Sequence, residues 1–165
     1  MLRGPSKGTT RDVVIPLRIV IAAPAERIWR YLVDWERLDR WMHEASDFEV
    51  VSAQREGVGV EAEATVRLAG FRTRDRIRVT RWEPPSILEI AHLGWVRGEG
   101  YMELSPTEDG TELFWRERLI PPWGVIGWIG LRIFKPLMRR QFAGDLRSLK
   151  RLVEGELRTE GSGGT

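Results

Sequence analysis

A long run of alternating side chains, followed by one long amphipathic segment, constrains the fold of this chain most. Apolar and polar side chains alternate over residues 60–68, and four arginines occupy every second position over 71–79. Such alternation predicts strands with one buried and one solvated face. Over residues 129–153 the apolar spacing changes to three and four, which predicts a helix with an apolar stripe that must be covered. The chain is therefore expected to form a sheet that packs against a C-terminal helix.

The remaining elements complete an order of one strand, two helices, six strands and a long helix. Residues 13–23 are rich in β-branched side chains and predict the first strand, in which Pro16 suggests a sheet edge or a bulge. A helix is predicted over 24–33, and a short helical piece with two tryptophans follows over 35–42. Glycine and proline turns separate the later strands. Hairpin connections in this order favour an α+β fold with an antiparallel sheet and helices on one face.

Composition limits the possible classes of function. At 165 residues the chain suits one domain, predicted over 12–155, with flexible ends over 1–11 and 156–165. The formal charge of +2 is small for a nucleic-acid-binding protein, so no nucleic-acid partner is expected. The absence of cysteine excludes thiol catalysis, disulfides and thiolate metal sites. The polar N-terminus lacks the apolar segment of a secretion signal, which predicts a cytoplasmic protein.

Four segments of the chain resemble one structural superfamily. They are residues 19–41, 79–94, 100–119 and 142–154, and in them the chain resembles the START-like or Bet v 1-like helix-grip superfamily, also called SRPBCC or polyketide cyclase/dehydrase-like. The resemblance implies a curved seven-stranded antiparallel sheet that grips the long C-terminal helix around a hydrophobic cavity. Members of this superfamily bind lipids, quinones, plant hormones or polyketides, and some are aromatase/cyclases. They share no catalytic motif, so the resemblance implies no catalytic residue.

Alternation also predicts which side chains point toward the cavity, because the apolar register of each strand faces the helix. This register comprises Ala62, Ala64, Val66, Leu68, Asp75, Ile77, Val79, Leu88, Ile90, His92, Met102, Leu104, Leu113, Trp115 and Glu117. A charge on an apolar face is costly, so Asp75, His92 and Glu117 each need a partner or a ligand. Asp75 is expected to pair with Arg81 or Glu117. His92 is either a general acid/base or a core histidine with its hydrogen bonds satisfied, and His43 is expected at the surface or a cavity rim.

The segment 121–142 combines prolines, glycines and tryptophans with basic side chains. Its apolar part is shorter than the roughly 20 residues that span a bilayer. We expect it to begin the C-terminal helix as a mobile lid lined by Trp123, Ile126 and Trp128, with a kink or break at Pro136. The basic side chains expected around the opening are Arg132, Lys135, Arg139 and Arg140. An apolar surface with basic flanks also suits peripheral contact with an anionic membrane, and plain packing is the alternative.

These observations lead to a binding hypothesis with two alternatives. The leading function is binding of a small hydrophobic or amphipathic ligand, such as a lipid, an isoprenoid or a polyketide-like aromatic, in an internal cavity. The predicted ligand-binding residues are Asp75, His92, Met102, Trp115, Glu117, Trp123, Trp128, Phe134 and Met138, and His92 is the candidate catalytic residue. One alternative is a polyketide aromatase/cyclase, and the other is a protein- or membrane-interaction module with a vestigial cavity. Neither a cofactor nor a metal ion is expected, since no phosphate, nucleotide or metal motif is present.

Overall fold

One antiparallel sheet of seven strands and three helical segments make up the described chain. This computed structural model describes residues 12–68 and 70–162, so the predicted flexible N-terminus at 1–11 lies outside the described residues. The strands are β1 (Val13–Ile21), β2 (Ala45–Val50), β3 (Glu61–Leu68), β4 (Phe71–Glu83), β5 (Ile87–His92), β6 (Arg97–Thr107) and β7 (Gly110–Ile120). The helical segments are α1 (Ala25–Leu32), a short 3₁₀ segment (Trp35–Arg40) and the long helix α2 (Gly124–Ser162).

The strand order is β1-β7-β6-β5-β4-β3-β2, and every neighbouring pair is antiparallel. The first strand lies at one edge of the sheet, where Pro16 removes no hydrogen bond from a central ladder. The alternation of β4 holds over its first half: its four arginines are exposed, and Arg74 and Arg76 pair with glutamates of β3. The predicted α+β helix-grip fold, with a curved seven-stranded sheet around the C-terminal helix, is confirmed.

The part of α2 from Met138 onward supplies the apolar stripe that the sheet covers. Its buried side chains are Met138, Phe142, Leu146, Leu149 and Val153. Complete burial of such a side chain stabilises the fold by about 1.5–3 kcal/mol. Trp115 of β7 packs against Phe142 with ring centroids 5.1 Å apart, and against Trp41 with centroids 6.3 Å apart. These aromatic contacts join the sheet, the long helix and the residue after the 3₁₀ segment into one core.

The long helix is more continuous than the sequence predicts. The predicted break at Pro136 does not occur, because the proline lies on an exposed turn where water can solvate the carbonyl that loses its donor. A kink at Pro136 stays a prediction. The helix also continues past the predicted boundary at 155, so that 156–162 are helical rather than a separate tail. Leu157 packs against the core, and Thr159 donates its hydroxyl hydrogen bond to the Gly155 carbonyl at 3.1 Å. None of the helices in the described ranges is long and apolar enough to cross a membrane.

Candidate functional site

A cavity of about 170 Å³ lies between the concave face of the sheet, the 3₁₀ segment and Phe142 of α2. Its walls are mainly apolar and include Trp41 and Trp115. An apolar cavity of about 150 Å³ can hold a benzene molecule, whereas drug-sized ligands occupy about 300–1,000 Å³. In this conformation the cavity therefore suits a compact molecule, and a larger ligand would require the walls to move apart.

Small side chains on β3 leave this space open. Ala62 and Ala64 lie on the buried register of the strand and line the cavity. Their methyl groups reach less far from the sheet than the side chain of Ile77, which is paired with Ala62 on the neighbouring strand β4. The volume of the cavity therefore depends in part on these two positions, because a larger apolar side chain at either of them would occupy part of the cavity.

Three charged side chains form a continuous network in the cavity wall. His92 Nδ1 lies 2.7 Å from Asp75 Oδ2, and His92 Nε2 lies 3.2 Å from Glu117 Oε2. The remaining oxygens also have donors: Gly94 N–H donates to Asp75 Oδ1 at 3.2 Å, and Trp115 Nε1–H donates to Glu117 Oε1 at 2.7 Å. Each charged group thus has the partner that burial requires.

One glycine of β6, Gly100, allows this network to form. The imidazole is on β5 and the Glu117 carboxylate is on β7, with β6 between them. Gly100 is paired with both Ile90 and Glu117, and a Cβ atom there would lie 2.7 Å from Glu117 Oε1. The missing side chain leaves room for Glu117 to reach across β6 to His92. Glycine inside a strand often marks such a close approach, and this was the signal available in the sequence.

The two carboxylates keep His92 charged. Burial alone would lower the pKa of His92, but the charge of Glu117 and the hydrogen bonds to Asp75 and Glu117 outweigh this effect and raise the pKa to about 10. At neutral pH the ring is an imidazolium, and both of its nitrogens donate to carboxylates. This arrangement favours the satisfied core histidine over the general base, because no ring nitrogen is free to accept a proton.

The expected pair between Asp75 and Arg81 does not form. A bulge shifts the register of β4 against β5 between Val79 and Arg81. After the bulge Trp82 points inward and packs edge-on against Trp29, while Arg81 points outward and donates to Glu83 at 2.7 Å. Strict alternation predicts the opposite orientation for these two residues, so the sequence pattern gave the wrong partner. Asp75 is linked to Glu117 only through His92.

A second buried acid pair was not predicted. Glu44, just before β2, lines the cavity, and Asp145 on α2 is 1% exposed. Burial, followed by a hydrogen bond and charge repulsion from Asp145, raises the pKa of Glu44 from its usual 4.5 to about 9. Asp145 Oδ1 accepts a hydrogen bond from the backbone N–H of His43 at 3.0 Å. Glu44 is thus a neutral carboxylic acid at neutral pH, and the available signal was an aspartate within the apolar stripe of α2.

The nine predicted ligand-binding residues fall into two groups. Asp75, His92, Met102, Trp115 and Glu117 line the cavity together. Trp123, Trp128, Phe134 and Met138 do not line it. They lie on the first half of α2 or just before it, and this helix reaches the cavity only at Phe142. Met138 is in the core, Trp123 and Phe134 are exposed, and Trp128 is half-buried beneath a guanidinium group.

The start of α2 is nevertheless connected to the cavity rim. Trp95, in the β5–β6 loop, lines the cavity and is 53% exposed. Its ring lies 4.9 Å from that of Trp123 in an edge-to-face contact. Trp123 therefore touches a rim residue rather than the cavity itself. Mobility of this segment stays a prediction.

Within residues 12–68 and 70–162, no group of three or more His, Asp or Glu side chains is placed to hold a metal ion. The Asp75–His92–Glu117 network shows why a group of two carboxylates and a histidine need not form a metal site. Both imidazole nitrogens point at carboxylate oxygens at hydrogen-bond distance, so neither nitrogen is directed toward a common metal position.

Comparison with models of known protein families shows the family to which this chain is related. The model of the family described as polyketide cyclase / dehydrase and lipid transport matches residues 13–154. The chain belongs to this family. The match extends from the first strand to the last buried turn of α2, so it covers every element that builds the cavity. The family and the fold support a ligand-binding or cyclase role.

Solved structures agree with this membership at the level of the fold. Protein TTHA0849 of Thermus thermophilus is 22% identical with a TM-score of 0.75, over 87% of this chain and 99% of that chain. The Zhui aromatase/cyclase of Streptomyces is 18% identical with a TM-score of 0.76, over 91% and 98%. The protein Ara h 8.0201 is 10% identical with a TM-score of 0.65, over 87% and 99%. No curated protein sequence matched the chain.

Proposed function

We propose that this family member binds a compact apolar ring compound in the cavity between the sheet and α2. The supporting observation is an apolar cavity of about 170 Å³ whose charged wall residues are paired with one another. Burial of apolar ligand surface supplies the affinity, and the rigid tryptophans Trp41 and Trp115 suit a flat ligand. The volume favours one or two fused rings over a long acyl chain.

The polar groups in the wall favour a ligand that carries an oxygen function. Glu44 is protonated and can donate a hydrogen bond to a carbonyl oxygen. Glu117 and Asp75 retain acceptor capacity, because each carboxylate oxygen can accept more than one hydrogen bond. A phenol or a cyclic ketone would therefore be oriented by the wall, whereas a permanently anionic ligand would be excluded by the carboxylates.

Calorimetric titration with 2-naphthol tests this proposal. This two-ring phenol should bind with one-to-one stoichiometry and a dissociation constant of about 0.01–1 mM, from typical affinities per ligand atom. Trp41 and Trp115 line the cavity, so binding should also quench tryptophan fluorescence. The matched control is 2-naphthalenesulfonate, which has the same rings and a permanent charge. Equal affinity for both compounds, or binding of neither, would contradict the proposal.

Glu44 favours a second candidate, an aromatase/cyclase that acts on a poly-β-ketone. A neutral carboxylic acid in an apolar wall can protonate a carbonyl oxygen during aldol closure or loss of water. Confinement of the chain near its reactive geometry would supply much of the remaining rate. His92 is less suited to this role, because each of its two ring N–H groups donates to a carboxylate of the wall.

The exposed first half of α2 supports a further part of the proposal, peripheral contact with an anionic membrane. Ile126, Ile129, Ile133 and Leu137 form an exposed apolar stripe along one helix face, and Ile126 is 77% exposed. Arg132 and Arg139 lie beside this stripe. An exposed apolar stripe with basic flanks suits the headgroup region of a membrane. The cytoplasmic location predicted from the sequence would place the anionic leaflet within reach.

Co-sedimentation with vesicles tests the membrane contact. The wild type should sediment with phosphatidylcholine vesicles that contain phosphatidylglycerol, and Ile126→Glu should lower the bound fraction because a charge replaces an inserted apolar side chain. Val58→Glu is the matched control, since Val58 is also exposed, but in the β2–β3 loop. No sedimentation of the wild type, or an equal loss in both variants, would remove this part of the proposal.

A further inference from the structure

An open cleft of about 610 Å³ lies on the other side of the Glu44–Asp145 pair from the cavity. It is formed by the segment before β2, the end of β3 and the outer face of α2. The residues that determine its chemistry are Arg67, Arg140, Gly144, Arg147, Ser148 and Arg151. Glu44 lines both the cleft and the cavity, so the acid pair separates the two. The cleft is therefore a separate site from the one proposed for the ring compound.

The arginines of this cleft differ from those elsewhere on the surface. On β4, Arg74, Arg76 and Arg78 each contact a glutamate of β3. In the cleft, by contrast, none of the four arginines lies within ion-pair distance of a carboxylate among the described residues. Arg151 donates to Ser148 Oγ at 2.8 Å, which holds that guanidinium group in the cleft. Four guanidinium-bearing side chains thus line one cleft, and none of them is paired with a carboxylate of residues 12–68 or 70–162.

The floor of the cleft is a glycine at which a side chain would fit. Arg140, Gly144, Arg147 and Arg151 follow one another along a single face of α2 at spacings of four, three and four. A Cβ atom on Gly144 would contact only Arg147 Nη2, at 3.8 Å, so packing does not require glycine there. Glycine inside a helix costs about 1 kcal/mol relative to alanine. The missing side chain leaves the helix backbone open between the arginines.

The two carboxyl groups in the cleft wall do not neutralise this charge. Glu44 keeps its proton at neutral pH because it is buried beside Asp145. The pair therefore carries at most one negative charge, against the four positive charges of the arginines. Asp145 is 1% exposed and its Oδ1 accepts the His43 backbone N–H at 3.0 Å, so little of this carboxyl group is exposed to the open cleft.

We propose that this cleft binds a phosphate group, which Arg67, Arg147 and Arg151 hold above the floor at Gly144. Guanidinium groups match the oxygens of phosphate in bidentate pairs, and several of them together suit a doubly charged group. Arg67 is fixed opposite α2, since its backbone N–H donates to the Glu44 carbonyl at 2.7 Å. The Ser148 hydroxyl supplies a further donor beside Arg151.

Both a soluble phosphate ester and a lipid headgroup carry this chemistry. The exposed stripe of Ile126, Ile129, Ile133 and Leu137 leads along the same helix face to Arg140, and Leu137 itself lines the cleft. A phosphate at the surface of a membrane would thus meet the arginines where the apolar stripe ends. Two arms of one experiment distinguish these sources: inorganic phosphate in solution, and vesicles of phosphatidylcholine with phosphatidic acid.

The decisive variants change the cleft in different ways. Arg147→Gln removes one guanidinium group, and Gly144→Leu fills the floor without changing the charge. Gly155→Leu is the matched control, because Gly155 is also a glycine of α2 with open space around it. Circular dichroism checks that each variant is folded. The wild type should bind phosphate in at least one arm, Arg147→Gln and Gly144→Leu should weaken that binding about tenfold or more, and Gly155→Leu should leave it unchanged.

The two arms have separate outcomes. Binding of inorganic phosphate that both cleft variants weaken would support a site for a soluble phosphate ester. Binding to phosphatidic acid vesicles alone, again weakened by Gly144→Leu, would support a lipid headgroup. Absence of binding in both arms, or binding that Gly144→Leu leaves as strong as in Gly155→Leu, would overturn the proposal. None of these outcomes depends on 2-naphthol, so the cleft and the cavity are tested separately.

Discussion

Replacing His92 with leucine should lower the free energy of unfolding by about 3–5 kcal/mol, the usual effect of removing one partner from a buried ion pair. The substitution keeps most of the side-chain volume but removes the positive charge between Asp75 and Glu117. The two carboxylates would then face each other across an apolar wall without a counter-charge. Urea denaturation at pH 7 measures the loss.

The other histidine provides the control for this experiment. His43 Nδ1 also lies 3.0 Å from a buried carboxylate oxygen, that of Asp145, but the His43 side chain is 62% exposed. His43→Leu should therefore cost no more than about 1 kcal/mol, the net value of one hydrogen bond. An equal loss of unfolding free energy in His43→Leu and His92→Leu would contradict the stabilising role of the Asp75–His92–Glu117 network.

Stability should fall as the pH rises from about 5 to 9. Burial and the neighbouring Asp145 raise the pKa of Glu44 from 4.5 in an ordinary environment to about 9 in the fold, and the carboxylates raise the pKa of His92 from 6.5 to about 10. In both cases the folded state holds a proton that the unfolded state has released. This stabilisation is complete below the unfolded pKa and is lost as the pH rises toward the folded pKa, by up to about 1.4 kcal/mol per pH unit for each proton.

The variant Glu44→Gln separates the two contributions. Glutamine is neutral at every pH and has almost the shape of a protonated glutamate, so the decline between about pH 5 and 6.5 should disappear. The decline above about pH 6.5 should remain, because His92 is unchanged. Urea denaturation at intervals of one pH unit measures both profiles. A wild-type profile that is flat or rises over this range would contradict the description of Glu44 and His92.

The alternation of polar and apolar side chains was sufficient to predict the sheet. Ala62, Ala64 and Ile77 have the orientation that a strict period of two requires, and the buried stripe from Met138 to Val153 has the spacing that a helical period predicts. These patterns are local, and the fold preserves them because one face of each element must be buried. The same patterns placed Asp75, His92 and Glu117 on the cavity side.

Contacts between distant strands were not predictable in the same way. The meeting of His92 and Glu117 depends on the absence of a side chain at Gly100, on the strand between them. The orientation of Arg81 depends on a bulge that reverses the alternation at Val79. A strict period of two assumes an unbroken ladder with a side chain at every position, so it could not reveal either feature.

The first half of α2 shows another limit of the sequence. Its prolines and glycines and its position between the last strand and the main C-terminal helix favour a mobile lid over the cavity. Trp128 and Leu131 pack partly buried against the core, whereas Trp123 and Ile126 stay exposed. The position at which a helix crosses a sheet depends on how the whole fold packs. The spacing of apolar residues in the sequence therefore could not distinguish a lid over the cavity from an exposed helix face. The acid pair of Glu44 and Asp145 could not be predicted from spacing either, because its two members are distant in sequence and meet only in the packed fold.

The central claim is that the cavity between the sheet and α2 binds a compact ring compound. Its walls depend on Ala64, where a leucine side chain would occupy the space proposed for the ligand. The matched control is Ala91→Leu, because Ala91 lies on the opposite face of β5 from the cavity residue His92. Both variants add the same apolar atoms to the sheet, and only one of them fills the cavity.

Calorimetric titration of 2-naphthol into the wild type and these two variants is the most direct measurement. The wild type and Ala91→Leu should bind the compound with the same affinity, and Ala64→Leu should show no measurable binding while it remains folded. Undiminished binding by Ala64→Leu would place the ligand elsewhere on the protein and contradict the central claim.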